Sequence, residues 1–350
     1  MHTDGRERRT HDVLRLLRDH QPIGSVRLTE HLRERGYSVT ERTVRLTLAE
    51  LDEKGLTEKV GGKGRRLTDD GRAELQRGGV WGRSDHVNER LAELTSHVDY
   101  DPTTDGGRVV VGTVTVPDAG RETLEDVLRS IDDSPLGPVV AELERVTTTG
   151  DGQGGSTSGV RVALPSSVTI NGVLLNAGID ADLEALGIVE YSADPDPDAV
   201  PYDDPDPATG GGAILRYTDA IGNERATFDV ASVLVGAGRT DVETAVGGDA
   251  GLLLADYLEF PLSRGDRAAE LAAETRARLG GVIDLRRPRE PGPSPWGTSS
   301  WSFGTLTQVG LAECVIGHCV ESGIAVDYET LDGVRPRAAL GTVAELEFRS

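Results

Sequence analysis

Lysine is almost missing from this chain of 350 residues. Only three of its 37 basic residues are lysine, and Lys54, Lys59 and Lys63 all lie within residues 40–68. Aromatic residues make up only 4% of the chain, whereas 59 acidic residues give a formal net charge of −22. Such a charge keeps a protein soluble where salt screens its self-repulsion. The composition is therefore typical of a halophilic protein, although a GC-rich genome that favours arginine gives the same bias.

Three further absences narrow the class of protein. No apolar run approaches the roughly 20 residues that span a bilayer. The first residues, MHTDGRERRTHD, lack the apolar centre of a secretory signal. The two cysteines, Cys314 and Cys319, are too few for a disulfide framework. We therefore predict a cytoplasmic protein that has no membrane partner and is long enough for two or three domains.

Charge is distributed unevenly along the chain. Residues 1–80 contain 17 basic and 14 acidic residues, which is a net charge of +3. The remaining 270 residues contain 20 basic and 45 acidic residues, which is a net charge of −25. A basic N-terminal module on an acidic body indicates that this module contacts a polyanion.

The first 78 residues have the pattern of a winged helix-turn-helix domain. Apolar spacing predicts a helix over residues 7–19, a second that begins at Ser25, and a third that begins after Thr40. Two short strands around the Gly61-Gly62 pair then form a hairpin, which we term the wing. In winged DNA-binding domains the third helix enters the major groove, so we predict double-stranded DNA as the partner.

Basic side chains cluster on the third helix and on the wing. Val44, Leu48 and Leu51 recur at helical spacing and must face the core, which leaves the arginines at the start of the helix exposed. The wing is placed to reach phosphates beside the groove. The predicted DNA contacts are Thr40, Arg42, Thr43, Arg45, Lys59, Lys63, Arg65 and Arg66. A solvated strand edge protected by lysine, a protein-binding module and an RNA-binding domain are the alternatives.

Residues 79–107 are predicted to form a linker that contains one helix, over residues 85–99. The apolar residues of this helix, spaced by 4, 3 and 4 positions, are Val87, Leu91, Leu94 and Val98. Such a stripe is typical of a coiled-coil seam, which predicts a homodimer. A linker helix packed against the body of the protein is the alternative.

Residues 108–342 alternate between strand-like and helix-like patterns, which predicts a larger mixed domain of the α+β or α/β class. The segment 191–212 is rich in Asp, Pro and Gly and is interpreted as a flexible insertion. Residues 225–235 are interpreted as strand. The apolar stretches 168–180 and 309–327 are similar to each other, which favours two related halves, with chance similarity as the alternative.

Two strings in this chain resemble one protein family. TERTVR, at residues 40–45, and TINGVLL, at residues 169–175, resemble the archaeal nitrogen-regulatory repressor family NrpR. The resemblance extends from about residue 7 to about residue 330. It implies a winged helix followed by one nitrogen-regulatory domain. It also implies a dimeric transcriptional repressor that binds operators of nitrogen-assimilation genes and is released by 2-oxoglutarate.

A small dicarboxylate binds where helix N-termini and arginine side chains supply positive charge. Two glycine-containing helix entrances fit this requirement: GAGRT at residues 236–240 and TING at residues 169–172. The predicted effector-binding residues are Thr169, Asn171, Gly172, Arg239 and Thr240. An ordinary turn between a strand and a helix is the alternative for both segments.

The sequence has no catalytic or metal-binding signature. Cys314 and His318 are spaced to share one helix face, but no second Cys/His cluster completes a site with four ligands. Nucleophile elbows, phosphate-binding loops and metallohydrolase motifs do not occur either. We therefore predict no enzyme activity, no cofactor and no metal. A ribonuclease-associated winged-helix protein, or an enzyme of unknown activity in the body, is the alternative.

Overall fold

A computed structural model describes residues 13–14, 16–18, 20–34, 39–72, 87–149, 156–195, 212–222, 230–297, 300 and 302–346. These residues form two compact units, one before position 94 and the other from Leu94 onward. The predicted domain boundary at residue 78 lies outside the described residues. Within the ranges given, no helix is long and apolar enough to cross a bilayer.

The first unit packs helices and a two-stranded hairpin around one apolar core. Residues 13–14, 16–18 and 20 are helical, and they precede α1 (Ser25–Glu34), α2 (Glu41–Glu53), β1 (Thr57–Val60) and β2 (Gly64–Leu67). The buried core side chains are Val13, Leu14, Leu16, Leu17, Ile23, Leu28, Leu32, Val39, Val44, Leu48, Leu51 and Leu67. This arrangement confirms the winged helix-turn-helix fold that the sequence predicted.

Local signals in the sequence fix the ends of α2 and the position of the wing. The Thr40 hydroxyl accepts a hydrogen bond from the Thr43 backbone N–H at 3.3 Å, which caps the start of α2. Gly55 follows the helix with a φ of +74°, a conformation that favours glycine. Two backbone hydrogen bonds between Ile23 and Arg65 then hold the wing to the segment that precedes α1.

A linker helix, α3 (Val87–His97), leads into the body, which repeats one order of elements twice. The first half comprises β3 (Arg108–Pro117), α4 (Arg121–Asp132), β4 (Val140–Thr149), β5 (Ser156–Pro165), α5 (Val168–Asn176) and β6 (Asp182–Ser192). Between the halves lie β7 (Ala213–Gly222), α6 (Val230–Gly236) and α7 (Val242–Val246). The second half comprises β8 (Gly251–Pro261), α8 (Gly265–Leu279), β9 (Val282–Arg286), β10 (Phe303–Val309), α9 (Leu311–Glu321) and β11 (Asp327–Pro336), and β12 (Gly341–Thr342) follows it.

Each half contributes its fourth strand to the five-stranded sheet that contains the first three strands of the other half. The strand orders are β11-β3-β5-β4-β12 and β7-β6-β8-β10-β9, and all neighbouring strands are antiparallel. The element order within each half is that of a ferredoxin-like unit. Its fourth strand, β6 or β11, pairs with the first strand of the other half. The preceding helices cross as well, because α9 packs on α4 and α5 packs on α8.

The repeated order accounts for the similarity between residues 168–180 and residues 309–327. These stretches contain α5 and α9, and each helix follows the third strand of its half. The mixed α/β body therefore contains the two related halves that the sequence favoured. Because the last strands are exchanged, neither half completes a four-stranded sheet from its own residues.

Two sequence interpretations need correction, and a third alternative gains support. Tyr191 and Ser192 are buried residues of β6, so the strand continues into the segment 191–212 that was interpreted as an insertion. Residues 196–211 lie outside the described residues. Residues 230–236 form α6 rather than strand, because their buried apolar side chains recur at helical spacing. Leu94 of α3 and Val98, just after this helix, are buried within the chain, as expected for the alternative of a linker helix packed against the body.

Candidate functional site

The solvent-facing side of α2 carries the arginines that were predicted to contact DNA. Arg42 and Arg45 are both exposed, and in the described part of the chain Arg42 has no ion-pair partner. Arg45 pairs with Glu41 at 3.1 Å, yet 62% of its side chain stays exposed. An ion pair this exposed contributes little stability. Arg45 is therefore free to exchange Glu41 for a phosphate.

Charge is polarised along α2. Arg42 and Arg45 occupy its N-terminal half together with one acidic residue, Glu41, whereas Glu50, Asp52 and Glu53 occupy its C-terminal half. The N-terminal half is therefore the part of the helix that suits a polyanion. The Thr40 and Thr43 hydroxyl groups lie 2.9 Å apart at this end, so these two residues shape the start of the helix.

The basic residues of the wing fall into two groups that differ in exposure. Lys59, Lys63 and Arg66 are exposed, and Arg66 forms only a surface pair with Glu58, at 2.7 Å. Arg65 differs, because its Nε donates to both oxygens of the Asp52 carboxylate at 3.0 and 3.1 Å. Its side chain is only 17% exposed. Arg65 therefore fastens the wing to α2, and the other three basic side chains are available to a partner.

The predicted effector residues in TING lie inside α5 rather than at an open turn, because the helix begins one residue before Thr169. The Thr169 hydroxyl donates to a backbone carbonyl of β3 at 3.1 Å. Asn171 Oδ1 accepts a hydrogen bond from Gln308 Nε2 at 2.8 Å. Gly172 packs so closely on Val98 that an added Cβ would lie 2.3 Å from the valine Cβ. Packing, not backbone conformation, requires glycine here.

The second predicted effector segment, residues 236–240, connects α6 to α7. Its Arg239 is half exposed and lies 3.5 Å from Asp219. Thr240 is buried, and its hydroxyl has no hydrogen-bond partner among the described residues. The Glu321 carboxylate already accepts hydrogen bonds from the Val242 backbone N–H, at 2.9 and 3.1 Å. The helix end that was predicted to hold an anion is therefore occupied by a side chain of the protein.

A buried polar cluster joins side chains of the two halves that exchange strands. We term it the crossover cluster, and its members are Ser166, Ser167, Asp256, Gln308 and Glu313. Ser167 Oγ lies 2.6 Å from Asp256 Oδ2 and 3.2 Å from Glu313 Oε1. Ser166 Oγ donates to Glu313 Oε1 at 2.7 Å. Gln308 Nε2 lies 3.5 Å from Asp256 Oδ2.

The geometry of the crossover cluster favours one bound proton. The single hydroxyl proton of Ser167 can serve only one carboxylate, so a proton on the other carboxyl completes the chain of hydrogen bonds. Burial raises the pKa of the Asp256 carboxyl to about 6. Burial, followed by the Asp256 charge, raises the pKa of Glu313 to about 7. Gln308 links Asn171 to this acidic cluster. The nearby carboxyl groups make the surroundings of Asn171 unfavourable for an ionised dicarboxylate.

Sequence reasoning missed the crossover cluster, although a signal was present. Asp256 interrupts the apolar stretch LLLADYLEF, and Glu313 interrupts the apolar helix α9. A carboxylate within an otherwise apolar segment is buried at a cost unless other groups compensate it. Such interruptions therefore identify polar contacts inside the core.

A cavity of about 400 Å³ lies beside β4 and is large enough for a small organic molecule. The charged residues that line it are Arg121, Glu142, Glu144, Arg145 and Glu345. Arginine and glutamate side chains together suit a ligand that carries both carboxylate and polar groups. None of the predicted effector residues lines this cavity.

The fold and the exposed basic face define a class: a winged helix-turn-helix domain joined to a mixed α/β body of two interlocked halves. Residues 11–75 match the family model described as the Ribonuclease R winged-helix domain. Residues 85–197 match the model described as NrpR regulatory domains NRD1 and 2. The resemblance that the sequence indicated is thus confirmed for residues 85–197, which are similar to NrpR regulatory domains.

Individual relatives agree with this assignment. The global nitrogen regulator NrpRI of Methanosarcina mazei is 32% identical over 53% of this chain and 57% of its own length. The global nitrogen regulator NrpR of Methanococcus maripaludis is 26% identical over 69% of this chain and 39% of its own length. This chain therefore spans only part of the length of these curated relatives. A crystal structure of a nitrogen repressor-like protein from Methanococcus jannaschii has the same fold, with a TM-score of 0.51 and 16% identity, over 73% of this chain and 97% of that one.

Proposed function

We propose that this chain is a DNA-binding regulator of transcription in nitrogen metabolism. The observation that carries the proposal is the exposed basic face of the winged helix, in a chain that also carries an NrpR regulatory domain. That face consists of Arg42 and Arg45 on α2 with Lys59, Lys63 and Arg66 on the wing. Side chains on the helix suit base edges, whereas side chains on the wing suit phosphates.

Single substitutions test this division of roles. We expect Arg42→Ala to weaken binding to a preferred duplex by about 1–3 kcal/mol if Arg42 contacts a base edge, and to relax the choice of sequence at one position. Lys63→Ala should weaken all duplexes alike and lower the slope of log affinity against log salt by about one. Fluorescence anisotropy of labelled duplexes, at several fixed KCl concentrations, measures both effects.

RNA binding is the second candidate, because the family model for residues 11–75 carries the name of a ribonuclease. An A-form duplex has a deep and narrow major groove that a helix does not enter. The exposed side of α2 therefore favours DNA. Competition by duplex RNA of the same sequence decides between the two: equal competition contradicts the proposal, and weak competition supports it.

We further propose that the protein acts as a homodimeric repressor that 2-oxoglutarate releases from DNA. A symmetric dimer places two α2 helices on half-sites about one helical turn apart. The support is the regulatory domain, together with relatives named as global nitrogen regulators. To change operator affinity tenfold, the effector must favour the DNA-free arrangement by about 1.4 kcal/mol. The protein is proposed to do this without catalysis, in the cytoplasm.

A ligand comparison tests the effector proposal. At fixed KCl, we expect 2-oxoglutarate to weaken operator binding at least tenfold, whereas succinate at equal concentration has no effect. Arg239→Ala should abolish the response if the exposed Arg239 holds the ligand, while Arg145→Ala should abolish it if the cavity beside β4 is the site. Equal effects of the two dicarboxylates would mean that only ionic strength acts, which contradicts a specific site.

A further inference from the structure

One apolar side chain stands out on the basic face of α2. Leu46 is 57% exposed, although it lies on the helix that contributes Val44, Leu48 and Leu51 to the core. It occupies the solvent side, one turn after Arg42 and next to Arg45. A single exposed leucine is common on protein surfaces. Its position beside Arg42 and Arg45, which are both exposed, is what requires an explanation.

The face of α2 on which Leu46 lies indicates what kind of partner it would contact. Residues four apart on a helix lie one above the other on the same face, so Leu46 points with Arg42 toward any partner of that face. Glu41 at the start of α2 pairs with Arg45, and the other acidic residues of the helix follow only from Glu50 onward. A partner that matches this surface must therefore offer negative charge and an apolar group within one helical turn.

Duplex DNA has both features in its major groove. Phosphates flank the groove, and the C5-methyl group of thymine is the apolar group that base edges present there. Leucine has no hydrogen-bonding atoms in its side chain, so it gains free energy from a methyl group and none from a polar base edge. The other apolar groups of DNA are less accessible to a helix in this groove.

We propose that Leu46 is a specificity-determining residue that contacts the methyl group of a thymine in the bound duplex. The inference rests on the proposed DNA-binding function and names one base of the sequence that α2 reads. Arg42 then contacts a base or phosphate one helical turn away, and the wing holds the flanking backbone. Removal of the thymine methyl group should cost affinity without changing any hydrogen bond of the base pair.

The test uses the full chain and a duplex selected by it from a random pool at fixed KCl. Each thymine is replaced in turn by deoxyuridine, which lacks only the methyl group. In each half-site we expect one replacement to weaken binding about fourfold, which corresponds to about 0.8 kcal/mol for one buried methyl group. Leu46→Ala should bind the thymine and deoxyuridine duplexes with equal affinity.

A matched control is available in α1. Val26 is an apolar residue that is 55% exposed, so Val26→Ala removes a similar apolar surface from a different helix. This variant should keep the full response to deoxyuridine, and both variants should keep the melting temperature of the parent protein. A deoxyuridine response that persists in Leu46→Ala contradicts the inference, as does a selected duplex in which no replacement matters. If the protein selects a duplex in which no replacement matters, the thymine contact is contradicted but the proposed DNA-binding function stands. If the protein selects no duplex at all, both the thymine contact and the proposed function are contradicted.

Discussion

Replacing Arg161 by methionine is expected to destabilise the α/β body by about 3–5 kcal/mol, because the change leaves a buried carboxylate with too little compensation. Arg161 of β5 donates to Asp332 Oδ1 at 3.1 Å, and Asp332 is fully buried. The pair joins the first half to β11 of the second half. Arg335 also contacts Asp332, at 3.2 Å, so some compensation stays in place. Urea unfolding at fixed KCl, followed by circular dichroism, measures the loss.

Two further variants separate the buried charge from the lost side chain. Arg161→Met combined with Asp332→Asn removes the uncompensated charge, and it should recover a large part of the stability. Arg216→Met breaks an exposed pair with Glu190, in which the arginine side chain is 67% exposed. That change should cost less than about 1 kcal/mol. Equal losses for Arg161→Met and Arg216→Met would show that the buried pair does not hold the halves together.

Stability of the body should fall as pH rises through neutrality, because the crossover cluster binds a proton on folding. The pKa of Glu313 is raised to about 7 in the folded chain, above the value of an unfolded glutamate. A carboxyl group with a raised pKa stabilises the folded state below the unfolded pKa, and this contribution is lost as pH rises through the folded pKa. Between about pH 5.5 and about pH 8 we expect a loss of about 2 kcal/mol, at about 1.36 kcal/mol per pKa unit.

A neutral isostere isolates this proton. Glu313→Gln keeps the shape of the side chain and cannot ionise, so the stability of this variant should change less with pH than that of the parent protein. Asp118→Asn serves as the control, because Asp118 is an exposed carboxylate at the end of β3 and should leave the pH dependence unchanged. Urea midpoints of the three proteins at both pH values decide the matter. Parallel pH curves for the parent and Glu313→Gln would exclude a shared proton in the cluster.

The winged helix could be predicted from the sequence because its signals are local. Thr40 caps α2, Gly55 ends it, and paired glycines form the turn of the wing, so each element is specified by residues within or next to it. The core side chains recur at helical spacing. Local signals did not distinguish Arg65 from Arg66, because that difference depends on Asp52, which lies on another element.

The exchange of strands in the body was not predictable in the same way. The patterns of β6 and β11 show that each is a strand, but not which strand it pairs with. β6 pairs with β8 across the segment between the halves, and β11 returns to β3 from the far end of the chain. The internal similarity of α5 and α9 indicated two halves. It carried no information on whether the halves are separate or interlocked.

The effector residues show a different limit. Gly172 was read as part of a turn, whereas the close contact with Val98 is what requires a small residue. Residues 236–240 do form a connection between helices, but the Glu321 carboxylate fills the helix end that an anion would need. Both outcomes depend on contacts between segments far apart in sequence. The spacing of residues within one segment does not predict such long-range contacts.

The most direct test of DNA binding by the winged helix replaces four of its exposed basic side chains together. The variant Arg42→Ala, Arg45→Ala, Lys59→Ala and Lys63→Ala removes these charges and spares Arg65, which holds the wing to Asp52. A control of equal charge change replaces four exposed arginines of the body by alanine: Arg129, Arg216, Arg267 and Arg287. Both proteins are compared with the parent on the same selected duplex at one fixed KCl concentration.

Anisotropy titrations then give a clear decision. We expect the winged-helix variant to lose at least a hundredfold in affinity, since four basic contacts are removed together, while the body variant keeps binding close to that of the parent. Thermal unfolding should show that both variants remain folded. If the folded winged-helix variant binds the duplex as tightly as the parent protein, the winged helix is not the DNA-binding surface and the account is contradicted.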